Sequence, residues 1–93
     1  MLKKIFATWL RTPGKAVDVW EAHAALVHLQ DITEEDQAAG RGPETARWLQ
    51  ANANVAECMS YISARQEIQV RDAVARNELP PEVAELLGRP TDG

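Results

Sequence analysis

The sequence predicts an all-α protein: a small helical bundle in which an N-terminal helical hairpin packs on one long helix (about 43–77), followed by a short C-terminal helix. Three observations lead there. Apolar residues recur every three or four positions, and nowhere alternate as they would along a half-buried strand. Gly and Pro are few and fall between the periodic segments. After Pro43, no Gly or Pro interrupts the chain until Pro80. With 93 residues, 45% hydrophobic and 26% charged, the composition suits one globular domain with a small core. That domain is expected over residues 1–88, with 89–93 as a flexible tail.

The first helix is expected at about 2–11, where Leu2, Ile5, Phe6, Trp9 and Leu10 share one face. Thr12 then suits an N-cap and Pro13 a first helical position, opening a second helix at about 13–31. Its stripe is Val17, Trp20, Ala24 and Val27, widened by Ala16, Val19, Leu26 and Leu29. The connector DITEEDQAAGRGPE pairs Thr33 with Asp36 in the manner of a capping box, predicting a short helical turn at 34–39 ended by Gly40 and Gly42.

Pro43 and Glu44 suit the first turn of the long helix, which would run for about 50 Å at 1.5 Å per residue. Glu67 with Arg71 and Asp72 with Arg76 are acid-before-base pairs at helical spacing. Asn77 suits a left-handed cap, and Pro80-Pro81 forbids continuation. The segment PEVAELLG makes the last helix, ended by Gly88.

On a helical wheel Trp48, Ala51, Val55, Met59, Ile62, Gln66, Val70 and Ala73 share the core face, with Cys58 beside them. Cys58-Met59 therefore reads as packing. Tyr61, Ala64, Ile68 and Ala75 fall nearly opposite, and a second apolar face predicts a self-interface in a homodimer.

The residues point away from several chemistries. There is no glycine-rich phosphate loop, no Ser-His-Asp set and no metal-ligand spacing; His23 and His28 are five apart and so lie on different helix faces. No enzyme activity, cofactor or metal is expected. No apolar run approaches the roughly 20 residues of a membrane span. The opening MLKKIFATWLRTPGK has too short an apolar stretch for a signal peptide, and its lysine-flanked amphipathic helix reads as packing rather than as a membrane anchor. One cysteine cannot make an internal disulfide, which predicts a reducing, cytoplasmic setting.

Charge is segregated. Lys3, Lys4, Arg11 and Lys15 occupy the start without an acid, and Asp18, Glu21, Asp31, Glu34, Glu35 and Asp36 follow without a base. A net charge of −4 is a poor match for phosphates. ELPPEVAELLGRP resembles the first helix of a helix-turn-helix, but no second helical pattern follows. A dimeric, DNA-associated regulator is therefore the second reading. The first is a non-enzymatic protein-protein interaction module, a small acidic inhibitor or adaptor that engages another protein's basic surface through Asp31, Glu34, Glu35 and Asp36.

Overall fold

A computed structural model of the chain describes residues 18–89. Four helices account for their regular structure: α1 (Val19–Ala38), α2 (Ala46–Met59), α3 (Ala64–Ala75) and α4 (Pro81–Leu86), with no strand among them. The expected all-α class is what the chain adopts. The expected first helix, and the hairpin it would form, lie outside the described residues.

Helix α1 is the axis of the fold and packs against each of the other three. It starts at Asp18, whose extended backbone and side chain form a capping box with Glu21. Asp18 Oδ1 accepts the Glu21 N–H at 2.9 Å, and Glu21 Oε1 accepts the Asp18 N–H at 3.0 Å. The expected second helix, whose part before Asp18 lies outside the described residues, has its N-cap at Asp18 and overruns its predicted end at 31 by two turns. Ile32 explains the overrun, because it is buried and carries the apolar stripe past Asp31. Thr33 does not cap a new turn: its hydroxyl donates back to the Leu29 carbonyl at 2.9 Å, as a mid-helix threonine does.

Helix α1 ends in a Schellman motif. Gly40 takes φ +71°, its N–H bonds to the Gln37 carbonyl, and the Arg41 N–H reaches the Asp36 carbonyl at 2.9 Å. The same motif closes α3 at Asn77 (φ +59°) and α4 at Gly88 (φ +71°). Asn77 is therefore the left-handed cap its sequence position predicts.

The long helix of 43–77 is not formed. Thr45 is the N-cap of α2, and the chain breaks again between Met59 and Ala64. Size gives the reason: a straight helix of that length would run about 50 Å, whereas the molecule measures 34 Å along its longest axis. Breaking it lets both halves lie on α1. Locally, Ser63 caps α3 in a second capping box, accepting the Gln66 N–H at 3.1 Å while Gln66 Oε1 accepts the Ser63 N–H at 3.0 Å.

The core joins Ala22, Ala25 and Val27 of α1 with Val55, Cys58 and Met59 of α2, Val70 and Val74 of α3, and Val83 and Leu87 at α4. The expected core stripe survives the break, with Ala51, Val55, Met59 and Val70 all buried. Two exposed ion pairs, Arg71 Nε to Glu67 Oε2 at 2.9 Å and Arg76 to Asp72, sit on α3 at the predicted spacing.

Candidate functional site

The most highly organised polar structure lies where α1 hands over to α2. Its centre is Asp36, in the last turns of α1, whose side chain is 4% exposed. Four donors converge on its carboxylate. Arg41 Nε reaches Oδ1 at 2.7 Å, Arg47 reaches Oδ1 through Nη2 at 2.9 Å and Nε at 3.1 Å, and Thr45 Oγ1 donates to Oδ2 at 2.6 Å. Arg47 Nη2 also holds Glu35 Oε1 at 3.0 Å. The Thr45 hydroxyl, with Arg41 and Arg47 behind it, holds the Asp36 carboxyl down at about 2, so it is ionised at any physiological pH.

Thr45 does two jobs at once. Besides donating to Asp36, its Oγ1 accepts the Trp48 N–H at 3.2 Å, which caps α2. Trp48 in turn donates its indole Nε1–H to Thr33 Oγ1 at 2.9 Å. The hydroxyls of Thr33 and Thr45 and the carboxylate of Asp36 therefore stitch the end of α1 to the start of α2. Between them the loop makes three left-handed turns of the backbone, at Gly40, Gly42 (φ +78°) and Glu44 (φ +59°). A left-handed glutamate is uncommon, and here it stands directly before the anchored Thr45.

Between this loop and the helix ends lies a cleft of about 390 Å³ lined by Thr33, Asp36, Gln37, Gly42, Pro43, Glu44 and Trp48. Neither Glu44 nor Glu34 makes an ion pair among the described residues.

The four acids expected to meet a partner have separate fates. Asp36 faces inward and is occupied by the protein's own donors, so it is not part of an outer acidic surface. Asp31 is half-buried and paired with Arg89. Glu34 and Glu35 are exposed on α1, Glu35 being shared with Arg47. Glu44, Gln37 and Trp48 carry no site signal in the sequence, where Glu44 suits a first helical turn and Trp48 the core face.

The residues expected at a self-interface are at the surface. Ile68 is 69% exposed and Tyr61 57%, and Ala64 and Ala75 are exposed on α3. Tyr61 itself sits in the turn between α2 and α3, not on a common helix face with the other three.

Two chemistry-bearing side chains are buried elsewhere. Cys58 is wholly enclosed, and burial, helped by the negative charges of Glu57 and Glu21, pushes its thiol up to about 12. It is a neutral thiol at pH 7 and packs as a small apolar group. His23 is buried in α1, and its Nε2 donates to the Glu78 carbonyl at 3.1 Å, tying α1 to the α3–α4 connection. Burial lowers its pKa, against the opposing pull of Glu78's carbonyl and charge. Among the described residues no three His, Cys, Asp or Glu side chains are grouped to hold a metal ion, and no helix is long and apolar enough to cross a membrane.

No family model, curated protein or solved structure matches this chain.

Proposed function

We propose that the protein is a non-enzymatic protein-binding module, an inhibitor or adaptor whose acidic body engages a basic surface on another protein. The observation that carries this reading is the charge of residues 18–89. They hold thirteen of the chain's fourteen acids but only six of its ten basic residues, all arginine. Five of those six arginines, Arg41, Arg47, Arg71, Arg76 and Arg89, are already paired with acids. The uncompensated charge is therefore negative, and at the α1–α2 end it resides on Glu34 and Glu44, with Glu35 sharing Arg47 with Asp36. Such a surface steers a basic partner and repels phosphates, which favours protein over DNA.

Self-association belongs to the same proposal. Ile68, with Ala64 and Ala75 on α3 and Tyr61 just before it, supplies apolar surface away from the core, and aromatic and aliphatic groups of this kind anchor interfaces. A cytoplasmic setting is proposed as well, supported by a single cysteine that is packed in the core.

Affinity capture with the immobilised protein tests the reading. A protein partner should be retained at low salt and released at about 1 M, where the screening length falls to ~3 Å. Glu34→Lys with Glu35→Lys should abolish retention. Capture that ignores both salt and the charge reversal, or retention of DNA instead of protein, would overturn it. For self-association, light scattering across concentration should give a dimer for the wild type and a monomer for Ile68→Asp.

A further inference from the structure

The cleft at the α1–α2 junction has a chemical bias that its residues define. Trp48 lines it, but the indole N–H is already committed to Thr33, so the ring offers an occupant carbon surface only. The Thr33 hydroxyl is engaged at both ends, donating to Leu29 and accepting from Trp48. Asp36 lines it too, with its own four donors in place. Pro43 adds a second apolar wall and Gly42 an open stretch of backbone.

Two polar groups that line it, the Glu44 carboxylate and the Gln37 amide, are exposed and have no partner among the described residues. The cleft thus combines aromatic and aliphatic walls with an anionic acceptor among its lining residues. Its local balance is negative as well, since Arg41 and Arg47 face the four carboxylates of Glu34, Glu35, Asp36 and Glu44.

The occupant that matches both halves has an apolar stem and a cationic, donor-rich head. We infer that this cleft receives a basic side chain, arginine for preference, presented by the partner protein. Its methylenes lie along Trp48 and Pro43, and its guanidinium bonds to Glu44 and Gln37. Arginine is favoured over lysine because its planar head packs flat on an indole and can meet a carboxylate with two parallel N–H bonds. A volume of about 390 Å³ is at the small end for ligand pockets and suits one side chain better than a folded peptide segment. The inference rests on the reading of the protein as an acidic binding module and names the seat of the contact.

The test uses the full chain labelled with ¹⁵N, following the Trp48 indole N–H, which reports directly on the cleft. The probes are acetyl-Gly-Arg-Gly-amide and the same tripeptide with citrulline, which keeps arginine's shape but not its charge. The arginine peptide should give a saturable shift with a dissociation constant in the millimolar range. The citrulline peptide should bind roughly three- to tenfold more weakly, as expected for one partly exposed charge pair with stacking. Glu44→Gln, a change in an exposed loop, should weaken the arginine peptide by a similar factor and leave the citrulline peptide unchanged.

Equal binding of the two peptides would overturn the inference and make the cleft merely apolar. Absence of any saturable shift at Trp48 would also overturn it. Failure here, with capture still dependent on Glu34 and Glu35, would leave the acidic-module reading standing and move the contact elsewhere on that surface. Failure of capture to depend on charge would sink that reading whatever the peptides do.

Discussion

Thr45 is the residue on which helix start and loop shape both depend, and Thr45→Val separates its hydroxyl from its bulk. Valine keeps the branched shape and suits the extended backbone at this position (φ −63°, ψ 163°). What is lost is one acceptor for the Trp48 N–H and one donor to Asp36. Removing an N-cap of this kind costs typically about 1 kcal/mol. For a domain of this size that lowers the melting temperature by roughly 4–8 °C. Thr45→Ser keeps both bonds and should stay within about 0.5 kcal/mol of wild type.

The second readout is the Asp36 carboxyl, followed by ¹³C NMR through an acid titration. In the wild type it is held at about 2, and the Thr45 hydroxyl is the largest cause. In Thr45→Val it should move up toward the ordinary carboxylate value. The sign follows from linkage: a depressed carboxyl stabilises the fold above its unfolded value near 3.8, and that contribution disappears as pH falls through about 2. The stability gap between wild type and Thr45→Val should therefore narrow over this window, leaving the N-cap portion. A Thr45→Val protein that melts with the wild type and titrates at the same pH would refute the claim that this hydroxyl joins α1 to α2.

Three further outcomes follow from single residues. Gly42→Ala meets no atom within 4 Å of the added carbon, so its effect is purely that of a left-handed backbone at φ +78°; thermal melts should show a loss of about 1 kcal/mol. Cys58, held near 12 instead of 9.0, carries about a thousandfold less thiolate than a free cysteine at pH 8, so a disulfide reagent should label it only after denaturant is added. The raised value also means that stability present below about pH 9 is lost as pH climbs toward 12, because the unfolded chain releases that proton first. His23 works in the other direction: its lowered pKa gives stability that is complete above 6.5 and falls at lower pH. Denaturant melts at pH 7.5 and 5.0 should differ in the wild type, and that difference should shrink in His23→Gln.

What the sequence made legible was the periodicity: the helical class, the core face through Val55, Met59 and Val70, the packed Cys58, and the stop at Asn77. What it obscured was where helices begin. The absence of Gly and Pro between Pro43 and Pro80 suggested one helix, yet a helix start needs neither residue. Ser63 with Gln66, Asp18 with Glu21, and Thr45 before Ala46 are all capping signatures on the page of the sequence. The apolar stripe runs across the break in phase and so masks them. Compactness decided between the two, since a single rod could not lie along α1 over its whole length. Asp36 was hidden for a different reason. Its neighbours Arg41, Thr45 and Arg47 follow it closely in sequence, but only the Schellman turn at Gly40 folds them back over its carboxylate.

That arrangement separates a residue that shapes the site from residues that would touch a partner, and the two classes should respond differently to substitution. Asp36→Asn removes the charge on which Arg41 and Arg47 converge while keeping the side chain's size. Both guanidiniums then lose their anchor, and the 40–45 loop loses the contact that fixes its left-handed path. The variant should melt earlier, shift the backbone amides of Arg41 through Thr45, and weaken the arginine peptide by displacing Glu44. Glu44→Gln should do only the last of these, with an unchanged melting temperature and loop spectrum. If Asp36→Asn left the loop amides in place and still abolished peptide binding, Asp36 would itself be the acceptor. The inward-facing role assigned to it by its four internal bonds would then be wrong.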